Sequence, residues 1–525
     1  EGVGSEMTRL TSRQRKYVYA GLIAALAFPI IHLGAPSTGG LDSGGVLAKL
    51  RELPVDRGGY DLGETTFGQL DPSSAAMNLV LLGLRGPAVL ALHVQLIDQQ
   101  RTKNWALMRA TTDSIITLQP HYLQVWRFHG WNMAYNVSAE WDGVADRWYW
   151  VKEGGKFTMR GVERNQIYAE LPWEVGRIES QKVGRSDEWR QFRVYFRVDP
   201  DTDRFGGGPD PGFNRAPRDP LEPLPGTQPP YEPTFPDNYL CSKAWFLHAN
   251  QVELGRVQRI MMRMLFRHYP VRSQFDYAEA LQRDGAFGDE EATRFAWDRA
   301  YEEWTGENRE SHEFHGYDYQ AFGKQEFESE GGTIMLDPTD EDIAALARKD
   351  RDRFLGTPLT ETASKAGETA ASLSDIEEFK RQWVHRYQDT CNYIYWKRRA
   401  RLERREDMAA IHRELFLGKQ AVLEGLVDFG PDGEPPVSVV HLERGLKQFA
   451  ALQDELVQAE DTREEVKDRN VTEEILMGML YWRHVLETIN GRPLPEDRPL
   501  KEFWESEDSR GLLPDLRARF QSDLR

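Results

Sequence analysis

The hydrophobic pattern begins with an apolar run, Tyr17–Gly34 (YVYAGLIAALAFPIIHLG), that carries no Asp, Glu, Lys or Arg. Eighteen residues at a rise of about 1.5 Å reach roughly 27 Å, enough to cross the hydrocarbon core of a bilayer. Arg9, Arg13, Arg15 and Lys16 precede the run, and Ala, Pro, Ser, Thr and Gly follow it. This positive-inside arrangement predicts a single transmembrane helix with everything after Gly34 on the non-cytoplasmic side. A secretory signal shares this make-up; because the run is retained in the chain, an anchor is the expectation. A second apolar stretch, Ala75–Leu96, has Arg85-Gly86-Pro87 at its centre. A mid-membrane Arg costs about 2.5 kcal/mol or more, so the stretch predicts a buried helix pair instead of a second span.

Beyond residue 100 the periodicity is helical. Helices are predicted over Val125–Val137, Trp141–Gly154, Leu171–Val183, Tyr239–Phe266, Gln274–Arg283 and Glu290–Trp304, with a short one over Thr339–Arg353. Ser374-Asp375-Ile376-Glu377 reads as a capping box opening a long helix to about Arg405, and Ala421–Val427, Leu442–Ala459 and Thr472–Asn490 complete a C-terminal helical region. Two polar, Gly-rich stretches, 306–338 and 356–373, read as irregular. Arg197–Asp237 is dense in Pro and Gly and predicts an extended insertion that wraps over a neighbouring subunit or runs as a surface linker.

Pro120, Trp126 six residues on and Gly130 four further are spaced as in the tetratricopeptide repeat, which this stretch resembles. The resemblance implies a Pro closing one helical hairpin, a Trp opening the next and a small residue where two helices touch. Leu118-Gln119-Pro120-His121, Trp126 and the run Trp131–Asn136 are also similar to membrane-anchored helical-repeat proteins of planctomycete envelopes, over roughly residues 75–310. That similarity implies location more than activity. The expected fold is mainly α: a membrane anchor over 1–36, tetratricopeptide-like hairpins forming an α-solenoid over 37–184, and a Pro/Gly-rich insertion over 185–238. Helical hairpins follow over 239–310, an irregular linker with a short helix over 311–373 and a C-terminal helical bundle over 374–525.

Composition narrows the function. The 525 residues carry 66 Lys and Arg against 84 Asp and Glu, a net charge of −18 that argues against binding nucleic acid. The two cysteines, Cys241 and Cys391, rule out a Cys-based zinc module, and the sequence leaves open whether they pair. His312-Glu313-Phe314-His315 offers metal-ligating residue types, but its histidines are three apart in a Gly-rich context, where zincins need four on a helix. These read as solvated or structural histidines, and His121 and His129 as helix-packing or capping groups. Asp199, Asp201, Asp203 and Asp210 occupy positions 1, 3, 5 and 12 of a calcium loop, yet Arg204 stands where that loop needs Gly, so a solvated acidic turn is expected. Lys397, Arg398, Arg399, Arg401, Arg404 and Arg405 are interleaved with Glu403 and Glu406 and predict a solvated, self-paired helix face.

The expected function is accordingly a membrane-tethered, non-enzymatic scaffold, a structural subunit of a larger envelope assembly at the bacterial inner membrane with its bulk in the periplasm. The alternative is an accessory subunit of a membrane enzyme or export complex whose chemistry is carried by partners. No catalytic residue, cofactor or metal is expected. The partners expected are other protein subunits or further copies of the chain, and the bilayer through residues 17–34.

Overall fold

The computed structural model describes residues 85–217, 235–255, 263–287, 292–458 and 468–524, with scattered positions between 11 and 49. The expected anchor, Tyr17–Gly34, and the Pro-rich centre of the insertion, residues 218–234, lie largely or wholly outside the described residues. Among the described residues no helix is long and apolar enough to cross a membrane. The fold is mainly helical, and the chain divides into two compact units, Glu1–Arg259 and Ile260–Arg525.

In the first unit α1 (Arg85–Arg101), α2 (Trp105–Leu118), α3 (Leu123–Asn132), α4 (Val144–Arg164), α5 (Glu170–Arg177) and α6 (Trp189–Arg197) are followed by a single turn, α7 (Thr202–Phe205), and by α8 (Asn238–Gly255). Helices α3 and α5 each run on into a π segment, Met133–Val137 and Ile178–Val183. Helices α3 and α4 form an antiparallel hairpin whose closeness is set by glycine. A Cβ on Gly154 would stand 2.6 Å from the Gly130 carbonyl oxygen, and one on Gly161 would stand 2.9 Å from the Trp126 ring. Trp126 is 1% exposed, packs on Phe157 with centroids 4.9 Å apart, and donates its indole N–H to the Pro120 carbonyl at 2.7 Å. The Pro–Trp–Gly spacing therefore marks one real helical hairpin, with the Trp locking the incoming chain to its first turn. Of the buried helix pair expected over Ala75–Leu96, residues 75–84 lie outside the described residues; in α1 Val89 and Leu96 are buried, while Leu90 and Val94, with Ile97 beyond them, are exposed.

The second unit starts with α9 (Arg263–Arg267), α10 (Tyr269–Asp284) and α11 (Ala292–Thr305). Residues 306–338, expected to be irregular, instead contain two antiparallel hairpins, β1 (Ser311–Phe314) with β2 (Tyr317–Gln320), and β3 (Phe327–Ser329) with β4 (Gly332–Ile334). His315 and Gly316 connect the first pair with φ of 48° and 77°, the left-handed pair that a two-residue I′ turn requires. Next come α12 (Asp340–Lys349), α13 (Arg351–Phe354), α14 (Glu361–Ala366), α15 (Leu373–Thr390), α16 (Tyr393–Glu403), α17 (Glu406–Leu423), α18 (Val437–Gln458), α19 (Arg469–Arg483), α20 (Lys501–Glu505) and α21 (Glu507–Asp523).

Three differences from the sequence reading have plain causes. The capping box is Ser372 with Asp375, two residues earlier than expected, because Asp375 is the acid that reaches back to the amide of residue 372. The long helix ends at Cys391, where Asn392 takes φ 53° and turns the chain into α16. The segment Ala421–Val427 is only the end of α17, whose start at Glu406 was hidden by polar residues on its outer face.

The unit is held by separate apolar clusters. One joins α17, α18, α19 and α21 around Ile411, Leu442, Phe449 and Met479. Another joins α10, α11 and α16 to the hairpins around Phe275, Trp297, Trp304 and Phe322. There the Trp304 ring lies on Tyr393 at 5.1 Å, its N–H donates to the Tyr393 carbonyl, and the Tyr393 hydroxyl donates back to the Trp304 carbonyl. Both polar tips are thereby satisfied inside the core.

Candidate functional site

Helices α10, α16, α17, α19 and α21 enclose a cleft of about 360 Å³ with an apolar floor of Leu415, Phe416, Met477 and Gly478 and charged walls. Its centre is His412, on the inner face of α17. The ring Nε2 donates to Glu403 Oε2 at 2.7 Å and Nδ1 donates to Glu474 Oε1 at 2.8 Å, so three helices meet on one imidazolium. Burial alone would drive the proton off; the carboxylates of Glu474 and Glu403 outweigh it and hold the group up at about 10. Gln282 of α10 donates to the second Glu474 oxygen at 3.1 Å and accepts from the Trp297 indole at 3.3 Å.

The remaining wall charges pair in the same manner. Arg399 meets Glu279 at 2.7 Å, Lys419 meets Asp523 at 2.6 Å and Arg519 meets Glu473 at 3.0 Å, while the Tyr481 hydroxyl donates to Asp523 at 3.0 Å. An imidazole that keeps both protons past neutrality is neither base nor nucleophile. These ion pairs tie α10, α16, α17, α19 and α21 together around the cleft.

The basic stretch along α16 and just past its end feeds the same scheme, which corrects in part the expectation of a solvated, self-paired face: Arg398 is exposed and Arg399 stands 3.8 Å from Glu403 one turn on, but the other charges are spent elsewhere. Arg399 is buried, Lys397 pairs with Asp337 at 2.8 Å, Arg404 with Asp298 at 3.4 Å, and Arg405 with both Asp407 and Glu455 at 2.7 and 2.9 Å. Asp337, Asp298 and Glu455 lie on other elements, so those pairs tie the unit together, while the pair with Asp407 is local to the start of α17.

The acidic turn of the first unit is solvated only at Asp201 and Asp203. Asp199 and Asp210 are buried and brought together, but Lys152 lies between them at 2.5 and 3.2 Å and Lys156 meets Asp210 at 2.5 Å. Trp148 adds an indole donor to Asp199 at 3.0 Å. Asp201 caps α7 and Asp203 is exposed. Lysine ammonium groups thus stand where a bound cation would have stood. Burial opposes ionisation of Asp210, yet Lys156 and Lys152 hold its carboxyl below the usual range.

His312 is buried in β1 beside Tyr319, with ring centroids 5.7 Å apart, and His315 is exposed in the adjoining turn, so the two do not converge on a metal. His121 meets the Asn165 side chain at 3.2 Å, and His129 is buried in α3, the position of a packing residue. Cys241 and Cys391 are free thiols. Among the described residues no group of three or more His, Cys, Asp or Glu is placed to hold a metal. The His412 cluster was not visible in the sequence, since its members are 9 and 62 residues from the histidine. Comparison with family models, with curated proteins and with solved structures finds no match.

Proposed function

We propose that the protein is a membrane-tethered, non-enzymatic scaffold that packs against other subunits, or copies of itself, in a larger envelope assembly. The observation that carries this reading is the apolar stripe on α1, where Leu90, Val94 and Ile97 recur at one helical face and are 67, 63 and 65% exposed. Such a stripe loses water only when something covers it. The self-neutralised cleft supports the same reading, because its ionisable groups are spent on holding helices. Tyr17–Gly34 supplies the tether, with the bulk of the chain in the periplasm, and confinement to a plane strengthens weak lateral contacts.

The test is extraction of the tagged chain from its native membrane in mild detergent, followed by sizing and mass spectrometry. A complex larger than one chain is expected, and Leu90→Glu with Val94→Glu should shrink it while the helical signal stays. A wild-type chain that runs as a monomer at native abundance overturns the reading. Co-purification with a membrane enzyme or export machine would identify the alternative, an accessory subunit whose partner carries the chemistry.

A further inference from the structure

The cleft around His412 has the size of a ligand site as well as the charges of a brace. Its volume of about 360 Å³ lies in the range of about 300–1,000 Å³ in which proteins hold small molecules, and an apolar floor with a few polar groups on the walls is the make-up of such sites. The floor is set before anything binds. The Phe416 ring lies over Gly285, whose φ of 75° and missing side chain admit it, since a Cβ there would stand 2.2 Å from the ring's Cζ. Phe287 holds the same ring from another side, with centroids 5.8 Å apart. Leu415 is buried, but Met477 is only half-buried, so part of the apolar floor still faces water.

One charge on the walls is surplus to the bracing. Glu473 takes two guanidinium groups on separate oxygens, Arg469 on Oε1 at 2.9 Å and Arg519 on Oε2 at 3.0 Å, one positive charge more than its own negative one. Arg469 stands off the lining, whereas Arg519 is on it with 64% of its side chain exposed. Arg519 can therefore turn to an anion in the cleft and leave Glu473 paired. His412 adds no reactivity, because both its protons are already given to Glu403 and Glu474. A molecule held here is bound and not converted.

We infer that this cleft binds a small amphiphilic monoanion, its apolar body on Leu415, Phe416 and Met477 and its carboxylate on the Arg519 guanidinium. A guanidinium meets a carboxylate through two parallel N–H bonds, which fixes the orientation of the head group while the floor takes the body. The inference does not rest on the scaffold reading, because a bound anion is compatible with an assembly and with a monomer alike.

The experiment is fluorine NMR of 4-(trifluoromethyl)phenylacetate with the full chain in mild detergent at neutral pH and low salt, beside the uncharged amide of the same acid. The acid should bind saturably, one per chain, with a dissociation constant below about 1 mM. It should bind at least about threefold more tightly than the amide, the scale of an exposed ion pair. Arg519→Gln should erase that preference and leave amide binding unchanged. Met477→Glu, which sets a charge on the floor, should weaken both compounds by about tenfold with an unchanged helical signal. No saturable binding, an acid held no tighter than its amide, or a preference that survives Arg519→Gln overturns the proposal. Binding of both compounds by Met477→Glu as by the wild type would place them on other apolar surface and overturn it too. Should Met477→Glu lose its helical signal, Met477→Gln, close to methionine in size, is read in its place with the same two outcomes.

Discussion

At the residue scale the decisive group is His412. An unfolded histidine titrates near 6.5, whereas the carboxylates of Glu474 and Glu403 hold the folded His412 up at about 10, so folding favours the protonated form. Its contribution is fully present below about pH 6.5 and is lost as pH rises toward 10, because in that window the unfolded histidine has already lost its proton and folding must take one up from an ever scarcer supply. Denaturant unfolding of the wild-type protein should therefore show the second unit weakening across that window. His412→Asn should remove this slope and cost on the order of 3–5 kcal/mol at pH 6, as breaking a buried ion pair does. A pH-independent midpoint would show that the carboxylates, not the proton, carry the cluster. Trp126 is the counterpart in the first unit: Trp126→Ala should cost about 3–5 kcal/mol, and more than Trp126→Phe, which loses mainly the bond to Pro120. These two residues also mark what a sequence can disclose. Trp126 stands six residues after the Pro that accepts its N–H, so local spacing announces it. His412 is defined by carboxylates on other helices, and no local pattern reaches them.

At the element scale helix location was legible and helix ends were less so, for reasons that differ case by case. Ser372 and Ser374 each stand near an acid, but only Ser372 has Asp375 three residues on with its carboxylate on the Ala371 and Ser372 amides. Ser372→Ala should accordingly destabilise α15 by about 1 kcal/mol, with Ser374→Ala within a few tenths, as read from thermal unfolding. The reverse ranking would restore the later start. The small hairpins escaped notice because each strand is three or four residues long, too short for alternation to stand out from a Gly-rich background. In the α3–α4 hairpin the glycines are the message: Gly154→Val would drive two methyl groups into the Gly130 carbonyl and the Ala134 backbone. Such overpacking costs about 1–3 kcal/mol and should lower the first unit's transition alone.

At the scale of the whole molecule the chain is two compact units, each with its own buried aromatic set, and neither the division after Arg259 nor the ion pairs that brace the cores could be read from composition. Unfolding should resolve into two transitions, the one sensitive to Trp126→Ala and the other to His412→Asn. The means of watching them separately is already in the sequence. Cys241 lies in the first unit and Cys391 in the second; both are buried and free. Burial pushes the Cys241 thiol well above its ordinary range and the Cys391 thiol up to about 12, so at pH 8 almost no thiolate exists on either. A maleimide can modify them only during excursions that expose the sulfur, and the modification rate then counts those excursions. Mass-spectrometric timing of the two tryptic peptides should find Cys241 accelerated by Trp126→Ala and Cys391 by His412→Asn. Equal acceleration of both sites by either change would mean that the units open as one. Two residues with no chemistry of their own thus serve as paired stopwatches, one for each half of the chain.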